Sequence, residues 1–354
     1  MKRRVISVLL ITVMALSLTA CGGGGSSENS SKDGGELNLY VWTEYIPDSV
    51  ISDFEDETGI KVNMSTFSSN EDMLAKVRSE SEGAFDVIQP SDYMIEQMIT
   101  QDMLEKIDTE KLTNLSNIGE AYLNPSYDPT GEYSVPYMGG VAAIAVNTDK
   151  ISTEVTKYAD LFTEDFKNSL VVLDDFRAVI GMSARSLGYS MNETDTAKLD
   201  EIKAQTLSLK DNVKLYDSDS PKSALISGDC AAGYCWNAEI ALAMDENPSI
   251  EIVYPEEGAY LFMDNWAIPK GAKNVEAATE FINYMLKAET AQAVSEEFPY
   301  LQPNDAAVEL LGEDYVNNLA KNVPADVIEK GEYIQNLDTD TLAIYDGIWT
   351  ELKK

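Results

Sequence analysis

The sequence contains no histidine, and only three cysteines, among 354 residues. Without histidine, Ser-His-Asp and Cys-His catalysis are excluded, and so are zinc sites built on imidazole. No G-x-x-x-x-G-K-[ST] loop occurs, which removes nucleotide hydrolysis through a P-loop. Cys230 and Cys235 lie five apart in what reads as one strand, CAAGYCW, so they point to opposite faces and are poorly placed to bond each other. Both read as small buried hydrophobes. Positive charge is also scarce. The 26 Lys and Arg stand against 61 Asp and Glu, for a net charge of -35. Such a field repels nucleic acid and gathers cations near the surface. Most familiar enzyme chemistries are thereby removed, while carboxylate-only chemistry, as in glycosidases, stays open.

What is present begins with an export signal. Lys2, Arg3 and Arg4 precede a mostly apolar run over residues 5–18, followed by Thr19, Ala20 and Cys21. Residues 1–20 therefore read as a signal peptide. Residues 21–35, ending in GGGGSSENSSKDGG, read as a flexible tether. A cysteine directly after Leu-Thr-Ala resembles the lipobox of bacterial lipoproteins, which implies that Cys21 is lipidated and anchors the chain at a cell membrane, facing the extracellular or periplasmic side. No later apolar run is long enough to span a bilayer.

The mature chain is organised around residues 37–47, LNLYVWTEYIP. Leu37, Leu39 and Val41 alternate as in a strand, and Trp42, Thr43, Glu44 and Tyr45 stand where that strand runs out. Ligands of open α/β sheets sit outside the carboxyl ends of strands. Downstream, Asp48 is expected to cap a helix that stops at Gly59. Strands are expected over 60–64 and 85–88, and a helix over 70–79 lies between them. This β-α-β-α-β order implies a largely parallel sheet. Residues 133–147 read as two extended pieces separated by Gly139 and Gly140. Strands at 170–173, 230–236, 250–255 and 260–268 and helices at 196–208, 275–286, 289–296 and 339–352 follow, the last capped by Asp338 with Leu342, Tyr345, Ile348 and Trp349 on one face. Asp338, Asp340 and Asp346 lack the glycine and glutamate of a calcium loop, so no metal and no cofactor is expected.

Several expected strand ends share one chemistry: Trp42 to Tyr45, Ser91-Asp92-Tyr93, Asp174-Asp175, Tyr234-Cys235-Trp236, Phe262-Met263-Asp264 and Phe298-Pro299-Tyr300. If they converge, the cleft holds many rings and several carboxylates, with Arg177 as the one cation. Buried anions need partners, and the missing partner would be a cationic ligand.

The segments WTEYIP, ETGIKV, QPSDY, SVPYMGG, DDFR, LGYS, CWN, MDNWAIP and PYLQPN, in this order, resemble the spermidine/putrescine-binding components of bacterial ABC transporters. The resemblance implies an α/β, two-lobed clamshell of the periplasmic-binding-protein kind (type II-like), with residues 36–142 and 266–320 in lobe 1 and 143–265 and 321–354 in lobe 2. It implies a monomer that carries a polyamine to membrane permease subunits and is not an enzyme. Carried over position by position, the rings boxing the ligand are Trp42, Tyr45, Tyr93, Trp236, Phe262 and Tyr300. The amine-binding carboxylates are Glu44, Asp175 and Asp264, with Thr43, Ser91 and Gln335 as polar neighbours. The chain departs from the pattern at Ala178, where the family carries a glutamate, and at Phe262, where spermidine-preferring members often carry tryptophan. Loss of an ammonium's carboxylate favours putrescine or another short cationic amine over spermidine. The rival readings are a binding protein for another small cationic amine, a sensor lobe that reports to a membrane receptor, and an exported carboxylate glycosidase using Asp175 and Asp264.

Overall fold

The computed structural model describes residues 35–354. The expected signal segment, Cys21 and the tether up to residue 34 lie outside them. Among the described residues no helix is long and apolar enough to cross a membrane.

The first sheet is wholly parallel. Strand β1 (Glu36–Trp42) buries Leu37, Leu39 and Val41 completely. Helix α1 (Asp48–Thr58) follows, with Pro47 at the N-cap position and no side-chain cap, so Asp48 is the first helical residue and not the expected cap. Its charge still favours the positive end of the helix dipole. Gly59 ends α1 in the left-handed conformation that glycine adopts cheaply, φ 76°, donating its N–H to Glu55. Strand β2 (Lys61–Phe67), helix α2 (Asn70–Ser79) and strand β3 (Val87–Ile88) complete the order β2-β1-β3. Helix α3 (Asp92–Thr100) starts inside Ser91-Asp92-Tyr93, which read only as a strand end.

Strand β4 (Val135–Asn147) is buried along all 13 residues. The chain then runs through β5 (Leu170–Val172), α4 (Phe176–Ser186), α5 (Thr196–Ser208), β6 (Val213–Tyr216), α6 (Lys222–Ile226), β7 (Ala232–Trp236), α7 (Asn237–Glu246), β8 (Ile250–Val253) and β9 (Tyr260–Trp266). Helices α8 (Val275–Met285), α9 (Ala288–Glu297), α10 (Asp305–Val316) and α11 (Ala325–Lys330), strand β10 (Glu332–Tyr333) and helix α12 (Thr339–Leu352) finish it. The second sheet has the order β10-β9-β4-β7-β5-β6, with β8 also on β4.

The expected break at Gly139 and Gly140 is not there. β4 is one strand because two partners share it in succession: β9 pairs with its first half and β8 with its end. The glycines serve close approach instead. A Cβ on Gly140 would run into Asn237 Oδ1 and the Phe262 ring, and one on Gly139 would lie 2.6 Å from Met263 Cε. Strand β7 starts at Ala232, so Cys230 precedes it and the expected opposite-face argument does not apply; both thiols are nevertheless free and buried.

The two sheets are stitched where β9 ends. Ala267 bridges to Ile88 and Asp264 to Ser91. Beneath that seam Phe281 of α8 stacks edge-on against Phe54 and Trp266 at 5.2 and 5.4 Å. On the far side α12 buries Tyr345, Ile348 and Leu352, and Asp338 caps it by accepting from Asp340 N and Thr341 N.

Candidate functional site

The strand ends meet around a narrow slot of about 60 Å³. The end of β1 and the turn after it supply Trp42, Thr43, Glu44 and Tyr45; residues after β2 and β3 supply Ser68, Asn70 and Ser91; those after β5 and β6 supply Asp175, Ser218 and Asp219. Trp236 ends β7, and Tyr260, Phe262 and Asp264 alternate along one face of β9. Tyr300 closes the wall. The rings form a continuous box: Tyr45 against Tyr300 at 5.2 Å, Tyr300 against Phe262 at 5.9 Å, and Phe262 against Trp236 at 5.1 Å. Edge-to-face contacts of this kind leave ring faces free for a guest.

Asp264 is the buried acid of the slot, 4 % exposed. Ser91 Oγ donates to its Oδ1 at 2.5 Å and Tyr45 Oη to its Oδ2 at 2.8 Å. Ser91 is itself fixed by Asn70, which donates to its hydroxyl and accepts from its backbone N–H. No cation pairs with Asp264 among the described residues. Burial pushes its pKa up to about 7 despite the hydroxyl donors, which favour the charged form. The Trp42 indole N–H, without a hydrogen-bond partner among the described residues, acts in the same direction as those donors. A carboxyl poised this way gains most from an approaching positive charge.

The two ends differ. Asp175 caps α4 by accepting from Ala178 N at 3.0 Å, and burial raises its pKa. Next to it Glu71 accepts from Tyr93 Oη at 3.0 Å; burial and then the Asp175 charge raise its pKa. Arg177 is buried, stacked between the rings of Tyr93 and Tyr345, and donates to Asn192 and the Gln335 carbonyl. At the other end Glu44 holds a left-handed backbone, φ 50°, which is uncommon for a residue with a Cβ and is found at functional turns. Its carboxylate meets Lys222 at 3.3 Å.

Ten of the twelve residues expected at the site line the slot: Trp42, Thr43, Glu44, Tyr45, Ser91, Asp175, Trp236, Phe262, Asp264 and Tyr300. Tyr93 and Gln335 do not. They line a neighbouring cavity of about 790 Å³ together with Asp92, Tyr127 and Tyr333. That cavity is larger, but its buried acid is spent on the backbone: Asp92 accepts from Tyr93 N and Met263 N. Sequence reasoning missed Ser68, Asn70, Ser218, Asp219 and Tyr260 in the slot and Lys222 beside it. Tyr260 was within reach, since it stands at period 2 from Phe262 and Asp264. Ser218, whose buried hydroxyl has no partner among the described residues, sits in the turn after β6 and obeys the strand-end rule.

An α/β shell with two sheets and a slot of rings and acids at their strand ends is the architecture of a solute-binding protein. The chain belongs to the family described as bacterial extracellular solute-binding proteins, whose model matches residues 49–324. It is 40% identical over 330 residues to the spermidine/putrescine-binding periplasmic protein of Salmonella typhimurium, covering 93% of this chain and 94% of that one. Among solved structures, a Listeria monocytogenes protein assigned to spermidine/putrescine ABC transport aligns with a TM-score of 0.87 at 34% identity, over 90% of this chain and 98% of that one. The spermidine/putrescine ABC transporter substrate-binding protein of Streptococcus pneumoniae aligns at 0.76 and 33%, over the same shares. The fold class is thus the two-lobed one expected from the sequence. The family is one of extracytoplasmic solute binding and not an enzyme family.

Proposed function

We propose that this protein binds a linear polyamine, putrescine or spermidine, in the slot and hands it to the permease of an ABC importer without chemical turnover. The observation that carries the reading is Asp264: a buried carboxylate with two hydroxyl donors, no cation beside it among the described residues, and aromatic walls on either side. An ammonium supplies the missing charge. The methylenes that follow it stack on Trp42, Trp236, Phe262 and Tyr300, at roughly 0.8 kcal/mol per methylene buried. Ring faces over the charged end add about 0.5–2 kcal/mol. Asp175 receives the second ammonium. The relatives' names, which specify spermidine and putrescine, agree with this chemistry.

The lobes in this reading are residues 36–142 with 266–320 and residues 143–265 with 321–354, and they hinge where β4 and β9 run antiparallel. Ligand shifts the equilibrium towards the closed form, which the permease recognises. The protein works as a monomer tethered through lipidated Cys21 on the outer side of a cell membrane. Calorimetry with putrescine, spermidine, agmatine and a neutral amino acid tests the central claim. Saturable heat with the amines and none with the amino acid is expected. Binding of the amino acid alone, or release of product from a sugar polymer, would overturn it.

A further inference from the structure

The slot's Glu44 end already contains a cation. Lys222 opens α6 just after the turn that carries Ser218 and Asp219. Its Nζ lies 2.9 Å from both carboxylate oxygens of Glu239 and 3.3 Å from Glu44 Oε2. Glu239 is buried, 4 % exposed, so Lys222 cannot leave without stranding a charge in a dry environment. The Lys222 side chain is 21% exposed and the Glu44 side chain 49%, which puts the pair at the mouth and the Glu239 contact behind it. Asp219 stands exposed at the same rim and accepts weakly from Ser68, at 3.4 Å.

A linear amine needs one carboxylate for each ammonium, spaced by its methylenes. Asp264 in the slot and Asp175 at its far end have no lysine or arginine within ion-pair distance among the described residues, whereas Glu44 has one. Two further carboxylates line the slot at this rim, and a third ammonium would meet Glu44, which is taken, and Asp219, which stands in solvent where an ion pair is worth little. Bringing another ammonium against Lys222 adds like-charge repulsion at a partly dry site, a device that discriminates by penalising the wrong guest.

Resting on the reading of the slot as an amine site, we propose that Lys222 determines specificity. It is a built-in ammonium that fills the Glu44 end and makes the slot prefer a diamine over a triamine. Glu239 is its positioning residue.

The test is calorimetry of putrescine and spermidine with the wild-type protein, Lys222→Met, and Lys222→Met combined with Glu239→Gln. The double variant removes the stranded buried charge and guards against a fold defect, which a thermal melt checks. The wild type is expected to prefer putrescine. Lys222→Met should raise the spermidine-to-putrescine affinity ratio at least tenfold, mainly by tightening spermidine. The double variant should raise it too, by a smaller factor because Glu44 alone remains. A wild type that prefers spermidine, a ratio unchanged within twofold in both variants, or equal weakening of both amines would overturn the proposal; the last would make Lys222 a clasp across the slot. No binding of either amine to the wild type would instead overturn the reading of the slot itself.

Discussion

Asp86 and Asp264 are both buried carboxylates without an ion-pair partner among the described residues, and they are built for opposite purposes. Asp86, wholly buried beside β3, accepts five hydrogen bonds: from Asn38 N and Nδ2, Lys273 N, and Asn274 N and Nδ2. Its lone pairs are saturated by neutral donors, and it ties β1 to the segment ahead of α8. Asp264 accepts from two hydroxyls, and its remaining capacity faces the slot. A saturated buried acid is a structural knot. An unsaturated one, supported on one side and bare on the other, is a site waiting for a cation.

Exchanging each for its amide should separate the two roles. Asp264→Asn removes the charge that the ammonium needs, at about 2–5 kcal/mol of binding energy, so the putrescine dissociation constant rises at least tenfold in calorimetry while the fold survives. Asp86→Asn turns an acceptor into a donor among backbone N–H groups. Unfolding free energy in denaturant should fall by about 1–3 kcal/mol, with putrescine affinity unchanged within twofold. A smaller contrast concerns rings. Trp236→Ala, in the slot, should weaken putrescine by about 0.5–2 kcal/mol, whereas Trp349→Ala, which packs on Tyr216 away from it, should leave affinity alone and lower stability. Equal effects of the two tryptophans on binding would break the distinction between wall and core.

Acidity gives a further handle. Because the Asp264 pKa in the folded protein, about 7, lies above its ordinary value of 3.8, the folded state holds that proton more tightly than the unfolded chain. The stability from this group is fully present below about pH 4 and lost as pH rises to 7, on the order of 4 kcal/mol in all. Bound amine reverses the sign, since it needs the charged form. The melting temperature gained with saturating putrescine should therefore grow between pH 5.5 and 8, and this growth should vanish in Asp264→Asn. A gain independent of pH in the wild type would contradict the assignment.

The sequence made some parts of this molecule readable and hid others. Helices α2, α5 and α12 were legible to their end residues because each begins behind a side chain able to cap it, Ser69, Asp195 and Asp338, and α12 adds a clear apolar stripe. Helices α3, α4 and α7 were not, because their first residues lie at or next to the strand ends that carry the site and read as part of those ends; Asp175 is both the cap of α4 and a wall of the slot. β4 was split in the reading because adjacent glycines weaken a strand locally, and only the distant β9 and β8 reveal why they are tolerated. At the site, residues next to strand ends were found and the long-range cation was not. Lys222 and Glu44 are 178 positions apart, and no local pattern joins them.

Amine capture by this slot depends on one carboxyl, Asp264, held ready for a positive guest. Carbon-13 NMR of the aspartate side-chain carboxyls, titrated with pH in the free and the putrescine-saturated protein, observes it directly. One resonance, absent from Asp264→Asn, should titrate near 7 in the free protein and drop by about 1–3 pH units when putrescine is bound. A resonance that titrates in the usual aspartate range without ligand, or one that putrescine leaves unmoved, would contradict it.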